Sequence, residues 1–116
     1  MRARLRQEVE TAFERYDAIL APAAPVAAFP HDHRSFAGRR LSLSDGSTIP
    51  YVAMLGWIAL ATALYLPAVT LPAGQAGGLP VGVQMIGPHG GDGRLLSIAQ
   101  AIDENLRGFT PPELKL

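Results

Sequence analysis

The chain predicts an α/β fold of short strands flanked by helices, and three observations carry that expectation. Apolar residues at helical spacing over residues 1–16 run straight into a short apolar stretch closed by proline. Two β-type runs, Leu66 to Leu71 and Leu79 to Ile86, flank a glycine-rich link. A further helical period opens at Asp92. Helix feeding into strand is how an α/β layer is built, because each element must bury one apolar face against the next.

Taken in order, Leu5, Val9, Ala12, Phe13 and Tyr16 share one side of the first helix, leaving Arg4, Glu8, Glu14 and Arg15 mainly on the wet side. Asp17-Ala-Ile-Leu-Ala21 has the length and flanks of a buried strand. Pro22, Pro25 and Pro30 then fix an extended stretch, which leads into a polar loop over about residues 31–48. From Tyr51 to Leu66 the chain is rich in alanine and leucine and ends at Pro67, so most of it reads as a buried helix with Ala53, Trp57, Ala61 and Leu64 on one face. In the run from Leu79, Val81, Val83 and Met85 alternate with Gly82 and Gln84, and a glycine inside a strand marks a close approach by another group. The last helix is expected to take Asp92 as N-cap, to present Leu95, Ala99, Ile102 and Leu106 at helical spacing, and to end at Gly108.

Composition narrows the function. The 116 residues hold ten Lys+Arg and ten Asp+Glu, are 48% hydrophobic, and contain no cysteine. A disulfide framework and a thiolate metal site are therefore excluded. Balanced charge gives no basic surface for phosphates, so nucleic acid is not an expected partner. The charged first seventeen residues lack the apolar core of a secretion signal, which makes the cytoplasm the expected location. Residues 46–91, however, include no Lys, Arg, Asp or Glu at all. A domain of this size buries only about two-thirds of its unfolded surface, so such a run is expected to need cover from elsewhere. The expectation is a single partial domain over residues 1–116, prone to self-association through an exposed apolar patch.

The candidate sites are few. His31-Asp-His33 offers two imidazoles and a carboxylate but no third metal ligand, and a solvated loop is the favoured reading. Gly87 to Gly93 precedes a helix as phosphate loops do, yet it lacks the Gly-Lys-Ser/Thr ending and places Asp92 where an anion would sit. The serines are Ser35, Ser42, Ser44, Ser47 and Ser97, none in a nucleophile elbow, and the only lysine is the penultimate Lys115. Adjacent Asp103 and Glu104 point about 100° apart on a helix and read as its wet face. Tyr51 to Leu66 would make about 24 Å of helix, short of the ~30 Å needed to span a bilayer, so no membrane partner is expected.

The order of elements, together with Tyr-Asp-Ala-Ile-Leu-Ala-Pro22, Leu66-Pro-Ala-Val-Thr-Leu-Pro72, Gly78-Leu-Pro-Val-Gly-Val-Gln84 and Asp92-Gly-Arg-Leu-Leu96, resembles the C-terminal part of the amidase signature family. That family includes bacterial amidases and the A subunit of the glutamyl-tRNA amidotransferase. The resemblance runs from about residue 3 to residue 112. It implies a C–N hydrolase fold, a mixed sheet flanked by helices, and a Ser, cis-Ser, Lys triad whose neutral lysine relays a proton from the nucleophilic serine. It brings no cofactor and no metal. Those triad residues belong to a Gly/Ser-rich stretch upstream of the matched region, and with no Ser-Ser pair and no interior lysine here, none is carried over. The implied partners are a small-molecule amide and the N-terminal amidase segment or subunit. Thr62 stands where many members have Asn, and Tyr65 where they have Gly. The segment before that strand borders the substrate pocket in relatives, which makes Trp57, Thr62 and Tyr65 the pocket-lining candidates, with core packing as the competing reading. Another function class also fits: an interaction module that pairs with a separate subunit through exposed strand edges.

Overall fold

The computed structural model describes residues 1–106 and 109–112. Helix α1 (Arg2–Phe13) leads to strand β1 (Ile19–Pro22); β2 (Arg40–Ser42) and β3 (Thr48–Pro50) follow, then the short helix α2 (Ala59–Leu64), the long hairpin β4 (Ala68–Ala76) and β5 (Leu79–Ile86), and helix α3 (Asp92–Asn105). The main sheet has the order β1-β5-β4, with both pairings antiparallel, and β2 with β3 forms a separate two-stranded ribbon. The expected α/β class holds.

Period-two alternation on β5 sorts the core into two layers. Ile86 turns to one face and packs with Ala61, Leu64 and Leu66, against which Val9 and Phe13 of α1 rest. Met85 turns to the other and meets Leu95 and Ala99 of α3, with Val69 and Leu71 of β4 beside them. The sheet is thus flanked by α1 and α2 on one side and α3 on the other. Gln84 shares the face of Ile86, and Gly82 follows two residues away on that same face.

Gly82 bears out the expectation of close approach. A Cβ built there would lie 2.8 Å from Thr70 Cγ2 and 3.3 Å from the Leu71 carbonyl. The Thr70 methyl of the paired strand β4 can take this place only because Gly82 has no side chain.

Several expectations change. The helix from Tyr51 to Leu66 is broken into a 3-10 turn at Tyr51–Leu55, a bend through Gly56 to Ile58, and α2. No side chain caps either piece, and Gly56 interrupts a segment with little to nucleate a longer helix. The helical face proposed for Ala53, Trp57, Ala61 and Leu64 therefore does not exist; only Ala61 and Leu64 are buried. The polar stretch 31–48 holds β2 and the start of β3, joined by a turn in which Gly46 adopts φ 83° beside Asp45. Asp-Gly is a hairpin signal that the polar composition masked. The link from Pro72 to Gly78 shrinks to a two-residue turn, since β4 continues through an irregularity at Pro72/Gly74 to Ala76; Gly77 (φ 59°) and Gly78 (φ 80°) make the reversal.

At the ends, α1 stops at Phe13, and Tyr16 is exposed rather than on a buried stripe. Asp92 is the first residue of α3 and Gly91 its N-cap, so its carboxylate complements the helix dipole without capping an N–H. Helix α3 runs to Asn105; Leu106, expected on its apolar face, is exposed, and the C′ position expected at Gly108 lies outside the described residues, as does Lys115. Among the described residues no helix is long and apolar enough to cross a membrane.

The accessible surface is 8745 Å², against about 6,100 Å² for a self-contained globule of this mass. The radius of gyration, 16.5 Å, likewise exceeds the roughly 13 Å of a compact chain this long. Much of the excess is apolar and uncharged: Val52, Leu55, Trp57, Ile58, Tyr65 and Leu79 all lie exposed. The cover demanded by residues 46–91 is not supplied by the chain itself.

Replacing Gly82 with alanine is expected to cost about 1–3 kcal/mol in urea unfolding, because β4 must be pushed away. Thr70→Ser removes the nearest clashing methyl and should recover part of that loss. Equal costs in both backgrounds would place the strain elsewhere.

Candidate functional site

The bend between the 3-10 turn and α2 presents the residues singled out from sequence. Trp57 lies in the bend itself, 45% exposed, and its carbonyl accepts a hydrogen bond of 3.2 Å from Gln84 Nε2. Thr62 is exposed on α2, where its amide donates to the Ile58 carbonyl. Tyr65 closes that helix as its C-cap in the left-handed region, φ 55°, with its ring 63% exposed. Thr62 and Tyr65 thus lie on and at the end of one short helix while Trp57 stands in the preceding turn.

The conformation of Tyr65 is one that favours glycine. A C-cap with positive φ is the place where a residue without Cβ is cheapest. Tyrosine is held there by Arg2 from α1, whose guanidinium carbon lies 4.9 Å from the ring centroid and whose Nη1 approaches the phenol oxygen at 3.4 Å.

Next to this bend runs an open groove of about 470 Å³ between the proline-rich strap after β1 and the hairpin, lined by Ala23, Ala24, Val26, Met54, Val81 and Gly82 among others. None of its lining residues carries a charge. The sequence reading missed this groove, whose lining comes from segments far apart in the chain. A larger hollow of about 890 Å³ lies between the strap and β2, with His31, Asp32, His33, Arg40, Ser42 and Ser44 on its walls.

The chemistry available in that second hollow is modest. The two imidazoles lie 6.3 Å apart, and no cluster of three or more metal-ligating side chains occurs among the described residues. Asp32 is instead engaged by Arg34: the guanidinium clasps its carboxylate at 2.7–3.1 Å and the Arg34 amide donates to it as well. These bonds, the guanidinium's first, hold the Asp32 pKa down to about 2. Asp45 is lowered too, chiefly by the hydroxyl of Ser47 and then by its amide. A carboxylate so stabilised is a poor proton acceptor, so the Asp45–Ser47 pair does not activate that hydroxyl. The hydroxyl of Ser97 donates to the Gly93 carbonyl within α3.

Comparison with known proteins decides the family. The family model described as Amidase matches residues 1–96. The chain belongs to the amidase family. It is 34% identical, over 98% of its length, to the A subunit of the glutamyl-tRNA(Gln) amidotransferase of Salinispora tropica. Among solved structures, the A subunit of the same amidotransferase from Thermotoga maritima superposes with a TM-score of 0.75 at 33% identity over 99% of this chain, and a crystal structure of an amidase gives 0.76 at 28% identity over 90%. The chain covers 21% of the Salinispora protein and 23–24% of the two solved chains. It spans about a fifth of the length of the curated relatives it matches.

Two outcomes test this geometry. Because the folded Asp32 pKa lies below the ordinary 3.8, the stabilisation from its clasp is full above that value and is lost as pH falls toward about 2. Carboxyl NMR should follow Asp32 titrating near 2, and Arg34→Gln should return it toward 3.8; an unchanged midpoint in the variant would remove Arg34 as the cause. Tyr65→Gly should raise stability by ~0.5–1 kcal/mol in urea unfolding by relieving the left-handed backbone, whereas Tyr65→Ala keeps that penalty and loses the Arg2 contact. A glycine variant less stable than the alanine one would contradict this.

Proposed function

We propose that this chain is the C-terminal part of an amidase-type hydrolase acting on amide C–N bonds, in which it completes the sheet and supplies one wall of the substrate pocket. The observation behind this reading is the uncharged, uncovered face formed by the bend at Trp57, helix α2 and the adjoining groove, in a chain of amidase ancestry. Such a face is suited to closing over the uncharged part of a small-molecule amide and excluding water from the reacting carbonyl.

The reacting groups come from the N-terminal amidase segment or subunit that covers this face. Amide hydrolysis by a serine nucleophile requires a base beside the hydroxyl and donors for the oxyanion. This chain has no adjacent serine pair and no interior lysine, and the hydroxyls of Ser47 and Ser97 are bonded to Asp45 and to a carbonyl. Its contribution is binding and enclosure. Trp57, Thr62 and Tyr65, all with free surface, face the pocket completed by the partner segment, and the cytoplasm is the compartment proposed for the assembled enzyme.

The isolated chain should give no turnover of small amides above a buffer blank. Combined with an amidase segment that carries the serine and lysine residues it should support turnover, and Trp57→Ala should then raise KM about tenfold with kcat little changed. Hydrolysis by the chain alone, surviving substitution of each of its serines, would leave the reading without a mechanism.

A further inference from the structure

Gln84 is the one polar side chain in the buried core of the described residues, 6% exposed at the middle of β5, where Ala21 of β1 and Thr70 of β4 are its neighbours in register. An amide buried in a sheet is costly unless its polar atoms are paired. An aliphatic residue at this position would extend the apolar face begun by Ile86. The amide instead reaches across 27 positions of sequence and donates from Nε2 to the carbonyl of Trp57 at 3.2 Å.

The bend that receives this bond is anchored at its flanks, by Tyr51 against Phe29 and Phe36 and by the core residues of α2, but not within itself. The 3-10 turn before it contains no buried residue, α2 after it is only six residues long, and Trp57 and Ile58 are exposed. In that helix Ala61 and Leu64 are buried and Leu60 packs against the same cluster, all after the bend. Between those anchors, the bond from Gln84 is the side-chain hydrogen bond that ties the bend to the sheet among the described residues.

We propose that Gln84 is the positioning residue of the pocket wall: by holding the Trp57 carbonyl against β5 it sets the height and orientation at which the Trp57 indole is presented. It acts through Trp57 and touches no substrate. The functional half of this statement rests on the reading of Trp57 as pocket lining, but the positional half stands on the hydrogen bond and can be tested without turnover.

Trp57 is the single tryptophan of the chain, so its fluorescence reports the bend alone. In the full 116-residue chain, Gln84→Met keeps the length and volume of the side chain but cannot donate. It is expected to shift the emission to longer wavelength and to increase acrylamide quenching roughly twofold, as expected from loss of this part-buried hydrogen bond, while far-UV circular dichroism is retained. Thr70→Ser, in the neighbouring strand, should leave both signals unchanged. Superimposable emission and quenching in the wild type and Gln84→Met would overturn the proposal. Should Gln84→Met fail to fold, the wild type decides: the Gln84 side-chain amide protons should exchange slowly and show a nuclear Overhauser contact to the Trp57–Ile58 backbone, and fast exchange without that contact would also overturn it. In the assembled enzyme, a Gln84→Met effect on fluorescence with no change in KM would leave the positioning intact and remove Trp57 from the pocket.

Discussion

The structure depends on one constraint: a long run of chain without a single charge has to be kept from water, and this chain has too few elements to do so. Residues 46–91 include the bend at Trp57, helix α2 and the whole β4–β5 hairpin. Their inward residues, Leu64, Leu66, Met85 and Ile86, are well buried. The bend and its flanks are open, with Val52, Leu55, Trp57, Ile58 and Tyr65 exposed, as is Leu79 at the hairpin tip. At about 25 cal/mol per Å² of apolar surface, even a few hundred square ångströms left uncovered represents several kcal/mol, comparable with the whole stability of a small domain. That imbalance explains why the surface exceeds that of a compact globule of equal mass, and it makes association with further polypeptide the physical expectation.

The open face is not featureless. Its centre is ordered by β5, which pairs with a strand on each side and sends Met85 and Ile86 into separate layers. Gly82 lets β4 approach, and the groove beside it opens because no side chain fills the space. Gln84 then ties the bend at Trp57 to this strand. The ribbon formed by β2 and β3 is held differently, by buried Leu41 and by the near-perpendicular contacts of Tyr51 with Phe29 and Phe36 at 6.1 and 5.5 Å.

Much of this is legible in the sequence because it rests on short-range periodicity. Alternation locates β5, helical spacing finds α1 and α3, and a glycine within a strand announces the close approach of Thr70. The failures come where tertiary context overrides local pattern. Alanine and leucine between Tyr51 and Leu66 suggest a continuous helix, but without caps and with Gly56 in the middle the helix lasts only from Ala59 to Leu64. Asp45-Gly46 is hidden inside a polar stretch, which conceals the β2–β3 ribbon. The groove is invisible for another reason: its lining comes from the strap, the 3-10 turn and the hairpin, which only the folded chain brings together. Tyr65 stands out in the sequence as a pocket-lining candidate, and its cost in backbone conformation needs the observed φ.

The central claim, that one face of this fold is apolar and uncovered until other polypeptide meets it, is tested most directly by size-exclusion chromatography of the isolated chain with an environment-sensitive hydrophobic dye. The account predicts strong dye fluorescence and elution as self-associated species, both suppressed when an amidase segment able to cover the face is added. A monodisperse monomer that leaves the dye dark would contradict it.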